Sequence, residues 1–171
     1  ELENGPLKKK FFDHLISQDP EVFWTAGQWM TEKAGGSDVS KSETRAEKKG
    51  DQYFLTGTKW FTSAITANIA MALAQTEVGG KDRLSLFLIR LRDDKGQLNN
   101  IEVLRLKDKL GTKAMPTAEL KLCGTEGFLV GELVLGVKNI ATVLNISMLY
   151  KSFFASVTIY RLHILILDYS K

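Results

Sequence analysis

The chain of 171 residues carries one cysteine, Cys123, so no intrachain disulfide can form and a reducing compartment is the default expectation. Its two histidines, His14 and His163, stand far apart without cysteine partners. No zinc-ligand spacing can be assembled, no metal site is expected, and both read as ordinary helix residues. No Gly-x-Gly-x-x-Gly turn and no Walker A run occurs, so any nucleotide is held by another route. Nor is there a basic stripe. Lys8-Lys9-Lys10, Lys48-Lys49 and Lys107/Lys109/Lys113 are short groups of solvated surface, and a net charge of +3 argues neither for nor against an anionic partner. Glu1-Leu2-Glu3 is acidic and no apolar h-region follows, so no signal peptide is expected. The most apolar stretch, Ser152–Leu167, is interrupted by Arg161 and His163 and reads as too short for a membrane span. The expected location is intracellular: cytoplasmic, mitochondrial or peroxisomal.

What is present is a hydrophobic fraction of 44% beside a charged fraction of 25%, the composition of a globular protein able to bury a core. Leu7, Phe11, Phe12, Leu15 and Ile16 recur at helical spacing between Gly5-Pro6 and Asp19-Pro20, predicting an amphipathic helix. The middle reads as strands. Ala26–Met30 comes first. Thr44–Lys48 and Gln52–Gly57 flank a turn at Lys49-Gly50-Asp51, and Asn68–Thr76 and Leu84–Arg92 flank one at Val78–Asp82. Ile101–Leu106 and Thr117–Leu122 follow. Six or seven short antiparallel strands predict a small barrel or sandwich. From about Val134 to Asp168 the pattern is helical, with Val137, Ile140, Val143 and Leu144 on one face. Beyond Phe153 most of the circumference is apolar.

Met30-Thr31-Glu32-Lys33-Ala34-Gly35-Gly36-Ser37-Asp38 is the richest segment. Adjacent glycines bring no Cβ to obstruct a ligand, so their backbone N–H groups can converge on an anion at a strand end. The same composition also suits a plain polar connector. Glu32 and Asp38 read as caps of backbone N–H groups rather than as a catalytic pair. Lys59 reads as a strand-end surface charge, and Lys109 and Lys113 as solvated. Trp60 is expected on the core side of its strand, opposite to Phe61.

Met-Thr-Glu-x-x-Gly-x-Ser-Asp resembles the flavin-binding signature of the acyl-CoA dehydrogenases. Gly57-Thr58-Lys59-Trp60-Phe61-Thr62-Ser63 resembles that family's second flavin segment. Glu-Lys-x-Gly-Gly-Ser-Asp, Lys-Trp-Phe and Arg105–Lys113 are similar to the AidB-like branch. The likeness runs from about Thr25 to Tyr150. It implies a mainly β fold with flanking helices, the small antiparallel β-barrel of the acyl-CoA dehydrogenase middle domain. Residues 1–20 would end an N-terminal helical domain, 21–131 form the FAD-binding barrel, and 132–171 begin a C-terminal helical domain.

By the same resemblance FAD is the cofactor, held by Met30, Thr31, Gly35, Gly36, Ser37, Phe61, Thr62 and Ser63. Thr31 would bond the pyrimidine edge and Ser37 the pyrophosphate. Phe61 would lie against the isoalloxazine and Ser63 near N5, with Ser37 and Ser63 also touching substrate. The implied reaction is α,β-dehydrogenation of an acyl-CoA, with electrons passed to an acceptor flavoprotein and the parent a dimer or tetramer. The family's base is a glutamate of the C-terminal helical domain, and no position of this chain matches it, so no catalytic residue is assigned. The alternatives are a non-catalytic flavin or fatty-acyl binding module and an AidB-like, nucleic-acid-associated flavoprotein. The second is disfavoured by the scattered lysines. Leu133-Val134-Leu135 departs from the family, which has a glycine and a charged residue there. Met148 stands where relatives commonly carry arginine.

Overall fold

The computed structural model describes residues 5–34, 36 and 38–170; of Pro6, Leu7, Lys8 and Asp82 it describes the backbone alone. Helix α1 (Pro6–Ile16) starts behind Gly5, with proline in its first turn. Strands follow as β1 (Ala26–Trp29), β2 (Arg45–Lys49), β3 (Gln52–Ser63), β4 (Ile69–Val78), β5 (Lys81–Arg90), β6 (Ile101–Leu106) and β7 (Thr117–Leu129). A 3-10 turn at Val39–Lys41 precedes β2, and helix α2 (Gly136–Tyr169) comes last.

The strands form one sheet in the order β1-β4-β2-β3-β7-β5, and β5 returns to pair with β4. Strands β4, β2, β3, β7 and β5 thus close into a barrel, with β1 sharing one edge of β4 with β2, and β6 sharing one edge of β7 with β5. The expected barrel is there, but it is not wholly antiparallel. Both β1 and β2 run parallel to β4. The two hairpin turns lie where Lys49-Gly50-Asp51 and Gly79-Gly80 signalled them, the glycines supplying positive φ. Strands β3 and β7 run on past the expected ends at Gly57 and Leu122.

Inside the barrel, Leu55, Phe87, Ile89, Leu120 and Leu122 pack around the fully buried Trp29 and the alanines 70, 72 and 74 of β4. Small residues on one strand make room for aromatic rings from the others, and Tyr53 meets Phe87 at 5.1 Å between centroids. A second cluster lies outside. Phe11 of α1 packs against Trp24 and Phe128, with centroids 5.9 and 5.8 Å away. Only the Phe11–Leu15 side of α1 is covered, since Phe12 and Ile16 are exposed. A stripe of i, i+4 residues is narrower than the face expected from the sequence, and Leu7's side chain lies outside the described residues.

The chain divides into two compact units, one ending at Val137 and the other beginning at Lys138. In the second unit, apolar side chains from Ile146 to Tyr169 are exposed on every side of α2. Ser147, Ser152, Ser156 and Thr158 turn their hydroxyls back onto carbonyls four residues earlier, hiding polarity that the surroundings would otherwise have to satisfy. By length and composition α2 could cross a membrane. The stretch Ser152–Leu167 lies within this longer helix of 34 residues.

Candidate functional site

The two glycine-containing motifs meet on one side of the barrel. Beyond β1 the chain leaves the sheet at Met30 and Thr31, both half-buried. The Thr31 carbonyl accepts the Trp60 N–H at 2.9 Å, so the first motif is fastened to the second. Gly27, two residues into β1, allows a close pass: a Cβ there would lie 3.1 Å from the Trp29 indole nitrogen and 3.2 Å from the Ser63 carbonyl. That indole donates to the same carbonyl at 3.1 Å. Gly36 is exposed and folds back over Thr31, the position of a Cβ falling 3.9 Å from the Thr31 methyl. Gly35 and Ser37 lie outside the described residues.

Asp38 caps the 3-10 turn, accepting from the Ser40 N–H at 3.0 Å and its hydroxyl at 2.6 Å. These bonds hold its carboxyl below the usual range. Glu32 also receives backbone donors, the N–H of Glu43 at 2.6 Å and of Thr44 at 3.2 Å. Beyond that capping role it pairs with Lys59, which sequence reasoning placed on the surface. Lys59 is fully buried. Its ammonium lies 2.5 Å from Glu32 Oε1 and 2.7 Å from the Leu73 carbonyl. Burial alone would raise the Glu32 carboxyl, but Lys59 and the Glu43 N–H outweigh it and the net direction is down. Burial pulls Lys59 below the ordinary lysine value, with Glu32 opposing.

Trp60 is not core. The β3–β7 register shifts between Lys59↔Leu120 and Thr62↔Ala118. This bulge sets Trp60 and Phe61 together against a single partner residue and keeps both flanking side chains inward. Thr62 is buried, and its hydroxyl donates to the Ala118 carbonyl at 2.5 Å, so a ligand role for this residue does not run through that hydrogen. Phe61 is 52% exposed and meets the half-buried Trp60 edge to face. The Lys107 ammonium sits 3.5 Å from the Trp60 centroid and 4.7 Å from that of Phe61. Glu119, opposite the bulge, holds Lys107 at 2.5 Å and Arg105 at 2.6 Å. These two donors, Lys107 first, hold its carboxyl low.

Ser63, half-buried, shares a hydrogen bond of 2.9 Å with the Thr117 hydroxyl. Lys109 is no free surface charge. It donates to Thr117 Oγ1 at 3.0 Å and to the Met115 and Thr112 carbonyls, closing the loop between β6 and β7. Lys113 is exposed, as expected. A concavity of about 210 Å³ lies here, lined by Lys107, Lys109, Met115 and Thr117 among others. A larger one of about 610 Å³, between the diverging ends of β2 and β4, holds none of the motif residues.

The wall therefore offers an exposed aromatic face, a hydroxyl at its edge, a glycine passing over Thr31, and ammonium groups beside both. That donor set fits a flat, anionic, nucleotide-bearing cofactor, with Phe61 as the exposed ring it would cover. A barrel carrying such a wall is the class of domain these observations define. Residues 27–124 match the acyl-CoA dehydrogenase middle domain family. The chain belongs to the acyl-CoA dehydrogenase family.

Acyl-CoA dehydrogenase family member 11 of Caenorhabditis elegans is 45% identical over 154 residues, which cover 85% of this chain and 25% of that protein. Its crystal structure in complex with C11-CoA matches with a TM-score of 0.79, over 85% of this chain and 26% of that one. AidB of Escherichia coli is 38% identical over 126 residues, covering 73% of this chain and 23% of its own. The apo form of Bd2924 is 52% identical with a TM-score of 0.79, over 87% of this chain and 31% of that one. The chain thus spans about a quarter of the length of the curated relatives it matches.

Proposed function

We propose that this chain is the FAD-binding middle domain of an acyl-CoA dehydrogenase that oxidises acyl thioesters between Cα and Cβ. The observation that carries this reading is the bulged Trp60–Phe61 ledge, which keeps an aromatic ring out of the core beside Ser63 and Thr31. A bound flavin supplies the acceptor for the hydride that leaves the β-carbon. The chain's own residues bind and orient it. Phe61 supports one ring face and Thr31 the pyrimidine edge. Gly35, Gly36 and Ser37 take the pyrophosphate, and the backbone around Met30 and Thr62 shapes the wall. Thr117 accepts from the Lys109 ammonium and is thereby biased to donate to Ser63, leaving the Ser63 hydrogen for the redox edge or for substrate. Lys107 and Lys33 supply positive charge on the Trp60 side.

In this reading the base that takes the α-proton comes from outside these 171 residues. The full protein works on acyl-CoA, passes electrons to an acceptor flavoprotein, assembles as a homo-oligomer and acts inside the cell. The apolar surface of α2 is covered by protein rather than lipid. The test is a titration of the purified chain with FAD, followed by flavin fluorescence and visible absorption. Saturable binding that weakens about two- to tenfold in Phe61→Ala is expected, the scale of a lost aromatic contact. Binding of acyl-CoA with no flavin uptake would replace this reading with an acyl sensor. Turnover by the chain alone with a dye acceptor would overturn the external base. Flotation of the chain with liposomes would overturn the protein-covered α2.

A further inference from the structure

We infer that Glu32 and Lys59 are positioning residues whose buried pair locks the Thr31 segment to the Trp60–Phe61 ledge, preforming the wall on which the flavin reading above rests. Glu32 follows Thr31 directly and Lys59 directly precedes Trp60. Between those neighbours runs the Trp60 N–H to Thr31 carbonyl bond of 2.9 Å. The ion pair and the amide bond are therefore two clasps, one residue apart, on the same crossing of two chain segments.

The bulge needs them. An extra residue in a strand is left unpaired and disrupts the ladder locally, so contacts at its flanks fix its place. Here the flanks are Lys59 and Thr62, and both are pinned inside the barrel. Lys59 holds Glu32 and the Leu73 carbonyl of β4 at 2.5 and 2.7 Å, and Thr62 holds the Ala118 carbonyl of β7 at 2.5 Å. The carboxylate also gathers the Glu43 and Thr44 N–H groups, so the incoming end of β2 joins the same knot. An apolar pair could fill the volume. It could not fix a carbonyl of β4, two amides before β2 and the bulge of β3 relative to one another, because that requires directional bonds.

The test uses the full chain and its Lys59→Met and Glu32→Gln variants. Gln keeps an acceptor for the Glu43 and Thr44 amides, so it carries the test should the methionine variant fail to fold. Hydrogen exchange of the Trp60 amide is compared with amides of the β4–β5 ladder, which report global unfolding. Expected is a loss of Trp60 protection about tenfold or more beyond any loss in the ladder. FAD affinity should also fall further than in Phe11→Ala, which truncates a buried ring of α1 in the cluster outside the barrel. A Trp60 amide that moves only in step with the ladder overturns the inference. So does FAD affinity that falls no more than in the Phe11 control. If the Trp60 amide responds but the native chain takes up no FAD, the lock stands and the flavin reading fails.

Discussion

Gly57 opens the second motif, and a single methyl group there tests how closely β3 passes its neighbour. A Cβ on Gly57 would lie 2.5 Å from Thr44 Oγ1, 2.6 Å from Thr44 Cα and 2.9 Å from Thr44 Cβ. Ordinary carbon contacts sit at about 3.5–4.0 Å, so roughly 1 Å of separation must be found. Thr44 cannot retreat freely. Its N–H donates to the Glu32 carboxylate at 3.2 Å, and its carbonyl accepts from the Gln75 N–H at 2.7 Å. Overpacking costs about 1–3 kcal/mol, and weakening one of those bonds adds about 0.5–1.5 kcal/mol. Gly57→Ala should therefore destabilise by about 2–4 kcal/mol, a large share of the roughly 5–15 kcal/mol typical of a domain. Equilibrium urea unfolding followed by circular dichroism reads this as a fall in midpoint of about 1–2 M for a slope near 2 kcal/mol/M. The same substitution in a Thr44→Ala background separates side chain from main chain. Removing the hydroxyl clears the 2.5 Å contact but leaves Cα and Cβ in the way, so most of the cost should remain. A cost below about 1 kcal/mol, or full rescue by Thr44→Ala, would refute the claim that backbone blocks this position.

Lys59→Met leaves the Glu32 carboxylate buried without its cation and should cost about 3–5 kcal/mol in the same urea assay, several times the value of an exposed pair. The pair also sets a pH dependence. Because the folded Glu32 carboxyl lies below the ordinary glutamate value, its favourable contribution is complete above that ordinary value and is lost as pH falls through the folded one. Unfolding midpoints measured from neutral to acid should thus drop faster in the native chain than in Glu32→Gln, and parallel curves would remove Glu32 from the account. Val134 occupies the left-handed region at φ 62°, where a branched side chain is strained and a glycine would not be. Val134→Gly should be more stable than Val134→Ala by about 0.5–1 kcal/mol, the reverse of the usual order, as measured by thermal or urea unfolding. Lys107→Met removes the cation over Trp60 and Phe61 while Arg105 still holds Glu119. The expected result is a change in tryptophan emission that is absent when the same substitution is made in Trp60→Phe, with a stability change on the scale of a cation–π contact, about 0.5–2 kcal/mol.

How much of this was legible in the sequence follows from which interactions are local. The hairpins at Lys49-Gly50-Asp51 and Gly79-Gly80 were readable because a turn residue acts on its own backbone. The parallel pairings of β1 and β2 with β4 were not, since they join segments tens of residues apart and leave no mark on either strand's composition. The buried Lys59 had a signal that went unused. Tyr53, Leu55, Gly57 and Lys59 share one parity of β3, and the first two are core, so alternation already pointed the lysine inward and demanded a partner. Glu32, in the first motif, was the carboxylate available to meet it.

Trp60 failed for the opposite reason, because there alternation was applied across a break. From Lys59 to Thr62 the burial runs inward, half-buried, exposed, inward, a period of three where a regular strand has two. No residue in Lys59-Trp60-Phe61-Thr62 announces this. The extra residue exists because β7 offers one residue, Glu119, against two, and that count belongs to the pairing rather than to either sequence. The consequence is chemical. A regular strand would have sent one of the two rings into the barrel and left a single aromatic outside. The bulge sends both outward, under the ammonium that Glu119 holds in place, and turns the inward flanks into the anchors Lys59 and Thr62. The residues best suited to a cofactor thus sit where the strand's own rule is broken, which is where reasoning by periodicity has least to say.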